Sequence, residues 1–116
     1  MKFIIFPGQG SQKIGMGKKL SENFLEAKEV FDEVNDALNF NLTKIMWEGS
    51  DSEISLTYNA QPALMACGVA AFRVLSKLEN KNLKQLADFT CGHSLGEYTA
   101  MTVAQVFSLK QCAILL

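Results

Sequence analysis

Gly92-His93-Ser94-Leu95-Gly96 is the segment that most restricts how this chain can fold. It follows Asp88-Phe89-Thr90-Cys91, which reads as a short strand, and precedes Glu97 to Val106, a run of small and apolar residues that predicts a helix. Strand, tight turn and helix, with glycines two residues either side of a serine, is the arrangement that projects a hydroxyl from a sharp bend. The glycines avoid steric collision, and the helix N-terminus favours developing negative charge. The N–H of Leu95 then points to where an oxyanion forms if Ser94 attacks an acyl carbon. A plain turn whose serine caps the helix fits the same five residues, so the pattern alone leaves both readings standing.

The rest of the chain supplies a context for that turn. Lys2 to Phe6 is a β-rich apolar run ending at Pro7-Gly8, which suits a buried strand entering a loop. From Pro7 to Gly17 the loop carries four glycines and two glutamines, so its backbone can approach a ligand closely or adopt positive φ. Leu20, Phe24, Ala27, Phe31, Val34 and Leu38 recur at spacings of four and three and predict one amphipathic helix. The interleaved acids, Glu22 through Asp36, read as its solvated face rather than a docking surface. Leu42 to Trp47 predicts a short helical piece, and Gly49 to Ser52 a turn capping another at Glu53 to Leu56. Asn59-Ala60-Gln61-Pro62 predicts the start of a long helix to about Leu78, with Pro62 in its first turn, and Asn80 to Lys84 a polar connection. Ser108-Leu109-Lys110-Gln111 has the form of a capping box, so a further helix begins there. The alternation predicts an α/β fold with parallel strands. Only two strands are visible where a mean sheet has about 5 to 6, so the chain reads as the front part of a larger fold.

Composition removes several function classes. With 11 Lys plus Arg against 12 Asp plus Glu, there is no basic footprint for nucleic acid and no polybasic membrane patch. The apolar run Ala63 to Phe72 is far shorter than the roughly 18 residues of a membrane span, and Phe3 to Phe6 is too short for a signal-peptide core. Cys67, Cys91 and Cys112 form no C-x-x-C pair, which argues against a disulfide framework or zinc site and for buried thiols in a reducing, cytoplasmic setting. A dinucleotide fingerprint from Gly8 would need glycine at Lys13, and a P-loop from Gly10 would need Lys-Ser or Lys-Thr where Met16-Gly17 stands. His93, the single histidine, adjoins Ser94 at a strand end, where neighbouring side chains point to opposite sides; it reads as a structural residue.

Phe6-Pro7-Gly8-Gln9-Gly10-Ser11-Gln12, Gln61-Pro62-Ala63-Leu64 and Gly92-His93-Ser94-Leu95-Gly96-Glu97, in that order, closely resemble the malonyl-CoA:acyl carrier protein transacylases of bacterial fatty acid synthesis. The similarity runs from Phe3 to Leu116. The acyltransferase domains of polyketide synthases are related, but Leu95 after the serine and a start at Met1 are more like the stand-alone malonyl enzyme.

The resemblance implies a hydrolase-like parallel-sheet acyltransferase fold, with residues 1–116 an incomplete amino-terminal segment of the catalytic subdomain. The inserted small subdomain and the C-terminal part would be lacking. It further implies a ping-pong transfer in which Ser94 carries malonate from malonyl-CoA to acyl carrier protein, with no metal or redox cofactor. The backbone N–H groups of Gln9 and Leu95 would form the oxyanion hole, a role needing no particular side chain, and Gly92 and Gly96 would shape the elbow. The family's catalytic histidine and carboxylate-pairing arginine would lie beyond Leu116; Arg73, the sole arginine, does not match that site. The isolated chain is therefore expected to be inactive, completed by another chain or prone to self-association. A serine esterase, disfavoured by the Gly8 to Gln12 loop, and a non-catalytic interaction module are the other readings.

Overall fold

The computed structural model describes residues 1–116 and contains two short parallel strands with helices between and after them. Strands β1 (Phe3–Phe6) and β2 (Phe89–Gly92) pair in the register Phe3 to Phe89 through Phe6 to Gly92. Between them run α1 (Lys18–Asn23), α2 (Leu25–Leu38), α3 (Leu42–Glu48), α4 (Asp51–Ser55), α5 (Thr57–Glu79) and α6 (Leu83–Leu86). Helices α7 (Leu95–Val103) and α8 (Leu109–Leu115) follow β2. The α/β alternation with parallel pairing is as the sequence implies, and no helix is long and apolar enough to cross a membrane.

The core lies between α2 and α5. Ala27, Val30, Phe31 and Val34 of α2 meet Ala63, Ala66, Val69 and Ala70 of α5, and α8 closes the side with Cys112 and Ala113. Full burial of a side chain such as Phe31 is worth about 1.5–3 kcal/mol. The small residues of α5 let its neighbours approach. At Gly68 a Cβ would stand 2.7 Å from Cγ2 of Thr99 and 3.0 Å from Cδ1 of Phe6, so this one glycine lets both α7 and β1 seat against α5. The acidic face of α2 is solvated as expected, with Lys28 and Asp32 paired at 2.6 Å; Glu26 pairs with Lys77 of α5 at 2.8 Å.

Several boundaries differ from the sequence reading. The single helix expected through Leu20 to Leu38 is broken at Phe24, whose extended backbone (φ −135°, ψ 123°) ends α1 and precedes α2. One extended residue leaves the apolar spacing readable across it, so the stripe conceals the break. Helix α5 begins at Thr57, which puts Pro62 in the interior instead of the first turn. The Leu56 carbonyl starts the helix by accepting N–H bonds from Asn59 and Ala60 at 2.9 and 2.8 Å. The missing Pro62 N–H then costs only a bond to the carbonyl of Tyr58, which is 65% exposed. The polar connection at Asn80 to Lys84 contains the start of α6, closed by an Asn82/Gln85 capping box, and the box foreseen at Ser108/Gln111 is present.

The strand β1 is not buried as expected. Phe6 is, but Phe3 and Ile5 are 53% and 69% exposed, because the sheet has two strands and helices cover only the side facing Ile4 and Phe6. Phe3 stacks on Phe89 with ring centroids 5.5 Å apart on the open face. Nor are all the cysteines buried. Cys112 is buried and Cys67 half-buried, but Cys91 lies exposed opposite Ile5.

Candidate active site

Ser94 sits where β2 turns into α7 with φ 53° and ψ −110°. A positive φ is sterically costly for any residue with a Cβ. Asn39 and Asn80 also have positive φ, but they end α2 and α5 in the ordinary left-handed region. The Ser94 bend is held by backbone bonds: His93 N–H donates to Phe6 O at 3.2 Å, Gly96 N–H to His93 O at 2.9 Å, and Glu97 N–H to Ser94 O at 3.0 Å.

The two glycines are required by contact. A Cβ on Gly92 would collide with the carbonyl group of Gly96 and stand 2.6 Å from the nitrogen of Glu97. On Gly96 it would collide with the Phe6 carbonyl and lie 2.9 Å from the Pro7 oxygen. Both collisions involve main chain, which cannot swing aside. The elbow is thus folded onto itself and pressed against the end of β1.

Ser94 occupies the N-cap position of α7, but its side chain makes no capping bond. The reading of this serine as a simple cap therefore loses its support, and the exposed hydroxyl is left for another use. The adjoining N–H of Leu95, at the first helical residue, has no intrahelical acceptor. The Leu95 side chain is buried and fixes that backbone in place.

The second expected donor lies on the loop after β1. Gly8 is packed against His93, so that a Cβ there would be 2.7 Å from the His93 oxygen and 3.0 Å from Nδ1. Gln9 follows directly in the chain. Its side chain is engaged: Nε2 donates to Oγ1 of Thr57 at 3.2 Å, and Oε1 accepts from Nε2 of Gln61 at 3.5 Å. A little further on, Gln12 Oε1 accepts from Gly10 N–H at 2.8 Å while its Nε2 donates to Ser55 Oγ at 3.4 Å. Ser55 and Thr57 carry no sequence signal for this role, and Gln61 stood out only within the resemblance.

His93 has its imidazole beside Gly8 but is exposed and makes no side-chain hydrogen bond, and Arg73 is exposed on α5. Away from the elbow, Phe72, Ser76, Asn82, Lys84 and Gln105 help line a cleft of about 400 Å³ that Ser94 does not border. No group of three or more His, Cys, Asp or Glu side chains could hold a metal ion.

A parallel sheet whose strand bends at an exposed serine, beside a glycine-rich loop from the neighbouring strand, places the chain among α/β folds built around a serine elbow. Residues 3–116 match the family model of the acyl transferase domain, and the chain belongs to that family. The malonyl CoA-acyl carrier protein transacylase of Bacillus subtilis (strain 168) is 48% identical over 107 residues, which are 92% of this chain and 32% of that protein. That of Staphylococcus aureus (strain COL) is 39% identical over 92% of this chain and 32% of its own length. The acyl-carrier-protein-S-malonyltransferase of Bartonella henselae superposes with a TM-score of 0.93 at 50% identity, covering 97% of this chain and 36% of its own. A malonyl-transacylase solved in complex with a type II PKS acyl-carrier protein gives 0.87 at 37% identity, over 97% and 36%. The chain therefore spans about a third of the length of these relatives.

Proposed function

We propose that Ser94 is the nucleophile of a malonyl transfer from malonyl-CoA to the phosphopantetheine thiol of acyl carrier protein, in fatty acid biosynthesis. The observation that carries this reading is the strained Ser94 backbone, held between two glycines that admit no side chain, with the hydroxyl left uncapped. In the first half-reaction Ser94 Oγ adds to the thioester carbonyl, the C–S bond breaks, CoA leaves, and malonate remains as an oxyester. In the second, the carrier thiol adds to that ester and Ser94 is released with its proton restored. Each step passes through an oxyanion, for which the N–H groups of Leu95 and Gln9 are the donors. The thioester supplies the leaving group, so the transfer as written calls for no metal or redox cofactor.

The proton of Ser94 needs an acceptor, and among these residues none takes that place. His93 is the only imidazole and it packs on Gly8. Residues 1–116 by themselves hold nucleophile and donors without a base, and we expect them not to turn over. Intact-mass and peptide analysis after exposure to malonyl-CoA, followed by transfer to carrier protein, tests both statements. Slow malonylation confined to Ser94, lost in Ser94→Ala, is the expected result. An adduct on another residue overturns the nucleophile assignment, and turnover matching a full-length relative overturns the missing base.

A further inference from the structure

Gln9 lies between Gly8 and Gly10, and Gly10 has φ +113°. Gly8 is seated against His93 and Gly10 N–H donates to Gln12, but the Gln9 N–H itself makes no hydrogen bond, and glycine on either side leaves the peptide that carries it free of Cβ restraints. An oxyanion donor must be fixed before the reaction to be effective. The loop's own backbone does not provide that fixity at Gln9.

The side chain provides it. Its amide is held at both ends by the first turns of α5, donating to Thr57 Oγ1 at 3.2 Å and accepting from Gln61 at 3.5 Å. We propose that Thr57 is a positioning residue: through the Gln9 side chain it sets the orientation of the Gln9 backbone N–H. This rests on the acyl-transfer reading above and extends it, because that reading leaves the Gln9 side chain without a task. The anchor spans 48 residues of sequence, so it joins the donor loop to α5 and not to its local neighbours. Thr57 is exposed and begins a helix, and valine has a helix propensity close to that of threonine, so removing the hydroxyl spares the core.

The test uses the 116-residue chain and p-nitrophenyl acetate, an activated ester whose leaving group needs no proton. At alkaline pH hydroxide takes the Ser94 proton in place of the missing base, so acetylation is slow. The ratio of rates between variants at one pH still reports oxyanion stabilisation, and acetylation is followed by peptide mass spectrometry. Thr57→Val is expected to slow acetylation about threefold to tenfold, the worth of one hydrogen bond, and Thr57→Ser to retain the rate. In a Gln9→Ala background, Thr57→Val should change nothing further, since the two side chains act as one unit. The 15N order parameter of the Gln9 amide should fall in Thr57→Val and not in Thr57→Ser. Equal slowing with and without the Gln9 side chain, or an unaltered Gln9 amide, overturns the proposal. If Ser94 takes no acetyl group while the Gln9 amide responds to Thr57→Val, the acyl-transfer reading falls and the anchor stands. The opposite pair of results removes the anchor and leaves the reading intact.

Discussion

Gly92 and Gly96 face each other across the elbow at a separation that leaves no room for a methyl group, since a Cβ on Gly92 would fall on the carbonyl of Gly96. The G-x-S-x-G spacing is therefore a packing constraint between two main-chain segments, and Ser94 takes its strained backbone from it.

That constraint separates glycines by mechanism. Gly92→Ala and Gly96→Ala should each destabilise the chain by roughly 3 kcal/mol or more, because main chain must move. At Gly10, where nothing lies within 4 Å, alanine meets only the penalty of its positive φ, about 1–2 kcal/mol. Urea denaturation of the three variants measures the difference, and equal losses would contradict the collision argument.

Strain at Ser94 predicts that the proposed nucleophile is held at a cost in stability. Ser94→Gly should abolish acylation and raise stability by about 1 kcal/mol, the relief of an unfavourable φ/ψ pair less the added freedom of glycine in the unfolded chain. A lower urea midpoint for Ser94→Gly would show that the elbow stores no such strain.

The three thiols should react in a fixed order. Cys91 is exposed, whereas burial pushes Cys67 up to about 12 and also raises Cys112. Iodoacetamide near pH 8 is expected to label Cys91 in the native chain and the other two only on unfolding, as read by peptide mass spectrometry. A raised folded value means the unfolded chain releases the Cys67 proton first. Its contribution to stability is therefore whole below 9.0 and is lost as pH climbs from there towards about 12. Cys67→Ala should flatten that decline in alkaline denaturation curves.

The open sheet face predicts self-association of residues 1–116. Phe3, Ile5 and Phe89 share that face, each more than half exposed. Sedimentation should show concentration-dependent association that Ile5→Lys diminishes, while Ile5→Lys changes stability by no more than about 0.5 kcal/mol, as for other exposed sites. A wild-type chain that stays monomeric at high concentration would refute this.

Much of this arrangement was legible in the sequence wherever one short-range rule governs it. The parallel α/β order, the elbow and the Ser108 capping box all follow from local pattern. The break at Phe24 was hidden, because one extended residue does not disturb apolar spacing. The start of α5 was missed since the signal at Asn59-Pro62 is weaker than the Leu56 carbonyl that begins the helix. The exposure of β1 depends on which strands flank it, which a four-residue run does not encode. The resemblance singles out Gln9 for its backbone N–H, but nothing in the sequence marks Thr57 as the partner of its side chain. Contacts between exposed polar side chains 48 residues apart leave no periodicity to read.

Phe6 lies directly opposite Gly92 in the parallel register, so the donor loop and the elbow both leave the sheet from the same rung. Neighbouring strands are about 4.8 Å apart whatever side chains they carry. The gauge between that loop and the elbow is thus the lateral repeat of β-structure, a length that substitution of surrounding side chains cannot tune. On the acyl-transfer reading proposed above, any difference in the acyl group accepted would then arise from walls built around this fixed gap.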